Sequence, residues 1–299
     1  MRHRTMGGQR AMPWLYNVPA VSYSYPADVQ NGTANFGLSL LRSAYSGNCL
    51  KVRRSSDDTT QDIGFVSTYQ LDTASLLSFC SGTNGFIDTW YDQSGNSRDM
   101  TQSTLSLQPK IVTSGALTVT INGHAACNFQ SQHLVGTTAT SFCSNTEFTV
   151  FSVFNVSTIA GTASGGSFYQ DDILWGDNGG WIAGACRKDA IGSQPYWMAG
   201  CNNDSAEQTI ALTTNYVTVA SHTGGTCYTY VNSQTSGANK SVSDSNMTGS
   251  LMRIGQTPFD GSIQDGNIAA VLFYSATVSS GNLDSIGAAL ASYYGVSWS

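Results

Sequence analysis

The sequence predicts an all-β protein: one jelly-roll β-sandwich with a few short helices, carrying an extended N-terminal arm. Three observations support that prediction. Charged residues make up 11% of the chain, less than half the usual share of ~25%, too few Glu, Lys and Arg to coat the solvent faces of a helical bundle. Short apolar and aromatic runs recur between Gly, Ser, Thr and Asn, the pattern of many strands joined by turns. At 299 residues with no visible internal repeat, the chain is long enough for one large core.

Residues 1–34 stand apart. Arg2, Arg4 and Arg10 are mixed with Pro13, Pro19 and Pro26 and with Trp14, Tyr16, Tyr23 and Tyr25, without helical or strand periodicity. The stretch reads either as a disordered tail or as an extended assembly arm packed on a neighbour through Arg2, Arg4, Arg10, Trp14 and Tyr16. The sandwich domain is expected over 35–299. Asn35 predicts the cap of a short helix through Tyr45, with Phe36, Leu40 and Leu41 on one side. Cys49–Arg54 alternates as a strand, and Asp72 caps a second helix, Thr73–Cys80. Strands follow at Gly85–Tyr91, Lys110–Val112, Leu117–Ile121 and Ala126–Phe129. Glu147–Val156 is apolar on both faces, which places it in the sandwich interior. Further strands are predicted at Phe168–Trp175, Trp181–Arg187, Thr209–Thr213, Tyr216–His222, Cys227–Val231, Leu251–Gly255 and Asn267–Tyr274. Leu283, Ile286, Leu290 and Tyr293 repeat at helical spacing, and Gly295 stops that helix.

The net charge of −6 rests on 17 Asp and two Glu, Glu147 and Glu207. This balance argues against a nucleic-acid partner, which needs clustered Lys and Arg. No run approaches the ~20 apolar residues of a membrane span, and no signal-peptide-like run follows the N-terminal arginines, so the ordinary secretory route is not expected. Seven cysteines lack Cys-x-x-Cys spacing, and His3, His124, His133 and His222 form no metal pattern; the thiols are expected to pack as small apolar residues. Asp171, Asp172, Asp177 and Asn178 are hard oxygen donors that suit calcium, though their spacing fits no defined loop, so solvated turn acids are the favoured reading and no cofactor is otherwise expected.

Several motifs occur as a set: Leu40–Tyr45, Lys51–Asp57, Gln61–Phe65, the turn Trp90-Tyr91-Asp92-Gln93-Ser94-Gly95 and Gln108–Val112. Together they resemble the catalytic-domain family of fungal α-L-arabinofuranosidase B. Asp260-Gly261, Gly266–Tyr274 and the closing helix are similar to the end of concanavalin A-like, laminin-G-like modules, which implies a concanavalin A-like jelly roll. The Trp90–Gly95 signature also has a structural reading, with Asp92 and Ser94 bonding turn amides and Gly95 taking a positive φ. Retaining glycoside hydrolysis needs two carboxyls ~5 Å apart. The resemblance implies a nucleophilic Glu after a Trp-Val-Met-Ala segment. Aligned on Trp197-Met198-Ala199-Gly200-Cys201, this chain has Asn202 there, with Asp204 and Glu207 as the nearest carboxylates. The resemblance also implies an acid/base Asp, for which this chain offers Asp260 or Asp265. Trp175, Trp181, Tyr196 and Trp197 are candidate glycan-stacking residues.

With an amide at the nucleophile position, the expectation is a non-catalytic protein rather than an enzyme. The module resembles those of tailed-bacteriophage structural proteins. That implies a capsid-decoration, fibre or tail-associated protein on the virion surface, homo-oligomeric, contacting other virion or capsid subunits and host cell-surface glycans. The alternatives are an extracellular lectin-like carbohydrate-binding module, or a glycoside hydrolase of the arabinofuranosidase type.

Overall fold

A computed structural model describes residues 24–299 apart from 131, 160–171, 178, 180–181, 189–193, 202–203, 236, 244–246, 248–249 and 256–264. In chain order the first strands are β1 (Ala34–Gly37), β2 (Leu50–Arg54), β3 (Thr60–Ile63), β4 (Gly85–Trp90), β5 (Met100–Thr101), β6 (Lys110–Thr113) and β7 (Ala116–Leu117). A small separate hairpin, β8 (Thr120–Ile121) and β9 (His124–Ala125), precedes β10 (Cys127–Gln130), β11 (Leu134–Thr138) and the long β12 (Phe148–Val156). Then come β13 (Asp172–Asp177), β14 (Ile182–Lys188), β15 (Pro195–Cys201), β16 (Asp204–Thr209), β17 (Tyr216–Thr223), β18 (Thr226–Val231), β19 (Gly237–Ser241), β20 (Leu251–Ile254) and β21 (Asp265–Tyr274). The helices are α1 (Pro26–Val29), α2 (Thr73–Phe79) and α3 (Ser280–Tyr294).

Among the described residues every pairing is antiparallel, and the strands form the two layers of a sandwich. In the first sheet β21 lies between β12 and the pair β1 and β10, and the sheet continues from β12 through β17 and β18 to β19. The second sheet runs β3–β2–β4–β5–β11–β20–β13–β14–β15–β16. Strand β6 pairs with both β10 and β4 and so joins the layers.

Two apolar layers follow from this. Phe148, Val150 and Phe154 of β12 enter the core between the sheets with Phe36, Trp90, Trp175, Trp197 and Phe273. Phe151 and Val153 face the other way, under Leu283, Ile286, Leu290 and Tyr294 of α3. A strand covered on both faces can be apolar at every position, which explains why Phe148–Val156 is so hydrophobic. α3 is held at both ends, by the Ser279 hydroxyl accepting from the Asn282 N–H and by Gly295 at φ 62°.

The helix expected from Asn35 is instead β1. Its residues pair with β21 from Ala34↔Phe273 to Gly37↔Ala270, and Phe36 and Leu41 end in different cores. Thr209–Thr213 is likewise not a strand; β16 ends at Thr209. Of residues 1–34, Arg2, Arg4, Arg10, Trp14 and Tyr16 lie outside the described residues, while Pro26 and Ala27 are buried and the Ala27 N–H donates to the Leu41 carbonyl. Cys49, Cys80, Cys127, Cys143, Cys186 and Cys227 are buried and no disulfide joins them. Among the described residues no helix is long and apolar enough to cross a membrane.

Candidate functional site

The Trp90–Gly95 turn is densely hydrogen-bonded. Asp92 Oδ1 accepts from the Asn35 and Ser94 N–H groups, and Oδ2 from the Ser94 hydroxyl and the Arg98 N–H. Gln93 is buried: its Oε1 accepts from the Leu41 N–H, and its Nε2 donates to the Gly37 and Ser39 carbonyls. Gly95 takes φ 87°, next to Ser94, whose carbonyl accepts from Arg42 Nη1 at 2.6 Å. Trp90 fills the inter-sheet core, and Tyr91 donates its hydroxyl to Asp62 Oδ1. Beside the turn, Asp99 accepts from the Asp92 N–H, and burial raises its carboxyl above the usual range. These groups bind backbone and tie β1 to the end of β4.

The outward face of the second sheet is different. Register places Asp62, Lys51, Thr89, Thr101, Val135, Arg253, Gly176, Ala183, Gly200 and Ser205 in one row across ten strands. At strand spacings of ~4.8 Å that row crosses the whole layer, and Gly176, Ala183 and Gly200 make its centre shallow. One step along lies a parallel row, Glu207–Met198–Ala185. Ala183, Ala185 and Met198 form a small buried cluster on this face. At its rim Arg187, 4% exposed, donates from Nη2 to the Ser205 hydroxyl (2.8 Å) and to Glu207 Oε1. Glu207 keeps 39% of its side chain exposed. A buried guanidinium thus holds a carboxylate that still meets solvent, an arrangement that fixes its direction.

Strand parity separates the two carboxylates that the sequence leaves as nearest to Asn202. Asp204 pairs with Cys201, and Lys240 of β19 lies 3.5 Å from its carboxylate. Three residues on, Glu207 pairs with Met198 and faces outward. Asn202 lies outside the described residues, as does Asp260; Asp265 opens β21 opposite Gln130, its side chain likewise outside. Sequence reasoning missed Arg187 and Ser205. The signal was Pro195–Cys201 and Asp204–Thr209 flanking Asn-Asn, a hairpin pattern, which places alternate residues on one face.

Of the glycan-stacking candidates, Trp175 and Trp197 are fully buried between the sheets, so neither offers a ring face to a sugar. Trp175 Nε1 donates to the Ser152 hydroxyl. Tyr196 is half-buried on the outward face, and Trp181 lies outside the described residues. Asp177 is buried, and its carboxylate accepts from the Gly179 and Ile182 N–H groups at the β13–β14 turn. Among the described residues no three His, Cys, Asp or Glu side chains are grouped to hold a metal ion.

Residues 33–146 match the family described as α-L-arabinofuranosidase B, catalytic. Within curated relatives, a 64-residue segment is 42% identical to a probable α-L-arabinofuranosidase B of Aspergillus flavus, and 63 residues are 40% identical to an α-L-arabinofuranosidase of Hypocrea jecorina. Each match covers 21% of this chain and 13% of the relative. In fold, the chain is similar over 89% of its length to a GH54 α-L-arabinofuranosidase soaked with a cyclic sulfate inhibitor, with TM-score 0.64 and 18% identity. An arabinofuranosidase complexed with arabinofuranosyl-α-1,2-xylobiose gives TM-score 0.62 at 18% identity. The chain spans 65% and 64% of those two structures.

These matches correct the functional expectation. A non-catalytic virion protein with capsid-subunit and host-glycan partners and a virion-surface location finds no support among them, whereas a catalytic-domain family does. The inference failed for physical reasons. A Ser/Thr-rich surface accompanies any sandwich of short strands and turns, and one amide at position 202 does not empty the face of carboxylates.

Proposed function

We propose that this chain is a glycoside hydrolase of the α-L-arabinofuranosidase type, acting on arabinofuranosides at the outward face of the second sheet. The observation that carries the reading is the match of residues 33–146 to a family defined by its catalytic domain. The fold likeness over 89% of the chain supports it. In this reading Glu207 is the carboxylate that attacks the anomeric carbon. Arg187 and Ser205 aim it, while a second carboxyl, Asp260, protonates the departing oxygen; Asp265 begins β21 in the other sheet. Water then attacks the glycosyl ester, with the second carboxyl acting as base. Tyr196, on the same face, is the aromatic surface nearest this site in register.

The test is release of 4-nitrophenol from 4-nitrophenyl α-L-arabinofuranoside. Glu207→Gln is expected to lower turnover at least ~100-fold, the scale on which single catalytic groups act, and Asp204→Asn to leave most of it. Absence of turnover by the native chain, or full activity in Glu207→Gln, would overturn the proposal or its assignment respectively.

A further inference from the structure

The first sheet carries a second concave site on the opposite side of the sandwich. Tyr228 and Tyr230 of β18 are two residues apart and share one face, because Cys227 and Thr229 between and beside them are buried. They look out toward the start of α3, and with Ser221, Gln234, Thr277 and Ser280 they line a cleft of ≈ 200 Å³. Apolar floor comes from Val278 and Leu283.

We propose that this cleft binds a neutral sugar residue independently of the outward face of the second sheet. Four features of its chemistry point there. No charged side chain among the described residues lines it, which argues against phosphorylated and carboxylate ligands. Its polar groups are hydroxyls and one amide, which both donate and accept, as a polyol requires. Two phenol rings supply rigid amphipathic surface at little entropic cost. At ≈ 200 Å³ it is smaller than the ~300–1,000 Å³ of drug-sized sites, suited to one ring rather than a chain. Burial, with Tyr228 beside it, raises the Tyr230 phenol above its ordinary value, so it remains a neutral donor at physiological pH.

The site differs from the proposed catalytic face in sheet and in side chains, so each can be silenced alone. Titrating the full chain with L-arabinose, D-xylose and D-galactose, followed by tyrosine fluorescence and by NMR shifts of the Tyr228 and Tyr230 rings, tests the inference. At least one sugar is expected to saturate, with the same affinity in Glu207→Gln. Tyr230→Phe should weaken binding, and Thr277→Trp, at an exposed rim position, should weaken it at least tenfold by filling the cleft while hydrolysis of the aryl arabinofuranoside is unchanged. No saturation by any of the three sugars, or binding that survives Thr277→Trp, would overturn the proposal. Binding lost in Glu207→Gln but kept in Thr277→Trp would place the sugar on the other face and overturn it equally.

Discussion

Asp92 receives four hydrogen bonds from β1, its own turn and Arg98, so its removal leaves several donors short of an acceptor in a buried place. Each bond to a charged acceptor is worth ~1.5–3 kcal/mol and the losses are not independent. Asp92→Ala is therefore expected to lower unfolding free energy by about 3–5 kcal/mol in urea titration, and Asp92→Asn by less. Gly184 is constrained by space. A methyl group there would sit 2.5 Å from Trp175 Cε2 and 2.6 Å from Trp197 Cη2, both rings locked in the core. Gly184→Ala should cost about 1–3 kcal/mol through overpacking, seen as a lower midpoint with an unchanged slope. The Asp92 role was legible in the sequence, because Asp, Ser and Gly in a turn have few other uses. Gly184 was not, since its reason lies in two Trp residues brought to it from neighbouring strands.

At the level of elements, α2 shows how a cap couples to pH. Asp72 accepts from the Ser75 N–H and hydroxyl, and these bonds hold its carboxyl below the ordinary value. A carboxylate whose pKa falls on folding contributes stability above its unfolded pKa of ~3.9 and loses it as pH drops through the folded value. Asp72→Ala should thus cost about 0.5–2 kcal/mol near neutrality, with the gap to the native chain closing below pH ~4; thermal melts across pH check this. Sequence periodicity located β12, α2 and α3 because each buries the face that its own pattern displays. It failed at Asn35–Tyr45, where Phe36 and Leu40 have helical spacing yet Phe36 and Leu41 fill cores on opposite sides of a sheet. Pairing with β21, a long-range contact, overrides local spacing there. It also failed at β15 and β16, where the fit to a catalytic motif hid a plain hairpin.

For the molecule as a whole, the two layers are one hydrogen-bonded unit, since β6 bonds to β4 and to β10, and the inter-sheet core draws on both. The segment before the first strand also contributes. The Thr33 N–H donates to the Phe273 carbonyl, Asn31 Nδ2 to the Ser94 carbonyl, and Ala27 is buried beneath α3. Deleting residues 2–34 should therefore lower the melting temperature clearly, with the transition still single. Six buried thiols distributed through this unit have a consequence for how its opening can be watched. Burial raises the thiols of Cys49, Cys127 and Cys143 well above their ordinary range, so they are neither exposed nor ionised while the core is closed. A thiol reagent then becomes a clock for the loss of structure. Apart from Cys201, whose side chain lies outside the described residues, labelling should advance only as fast as the sandwich opens, and reducing the protein and removing the reductant beforehand should leave that rate unchanged.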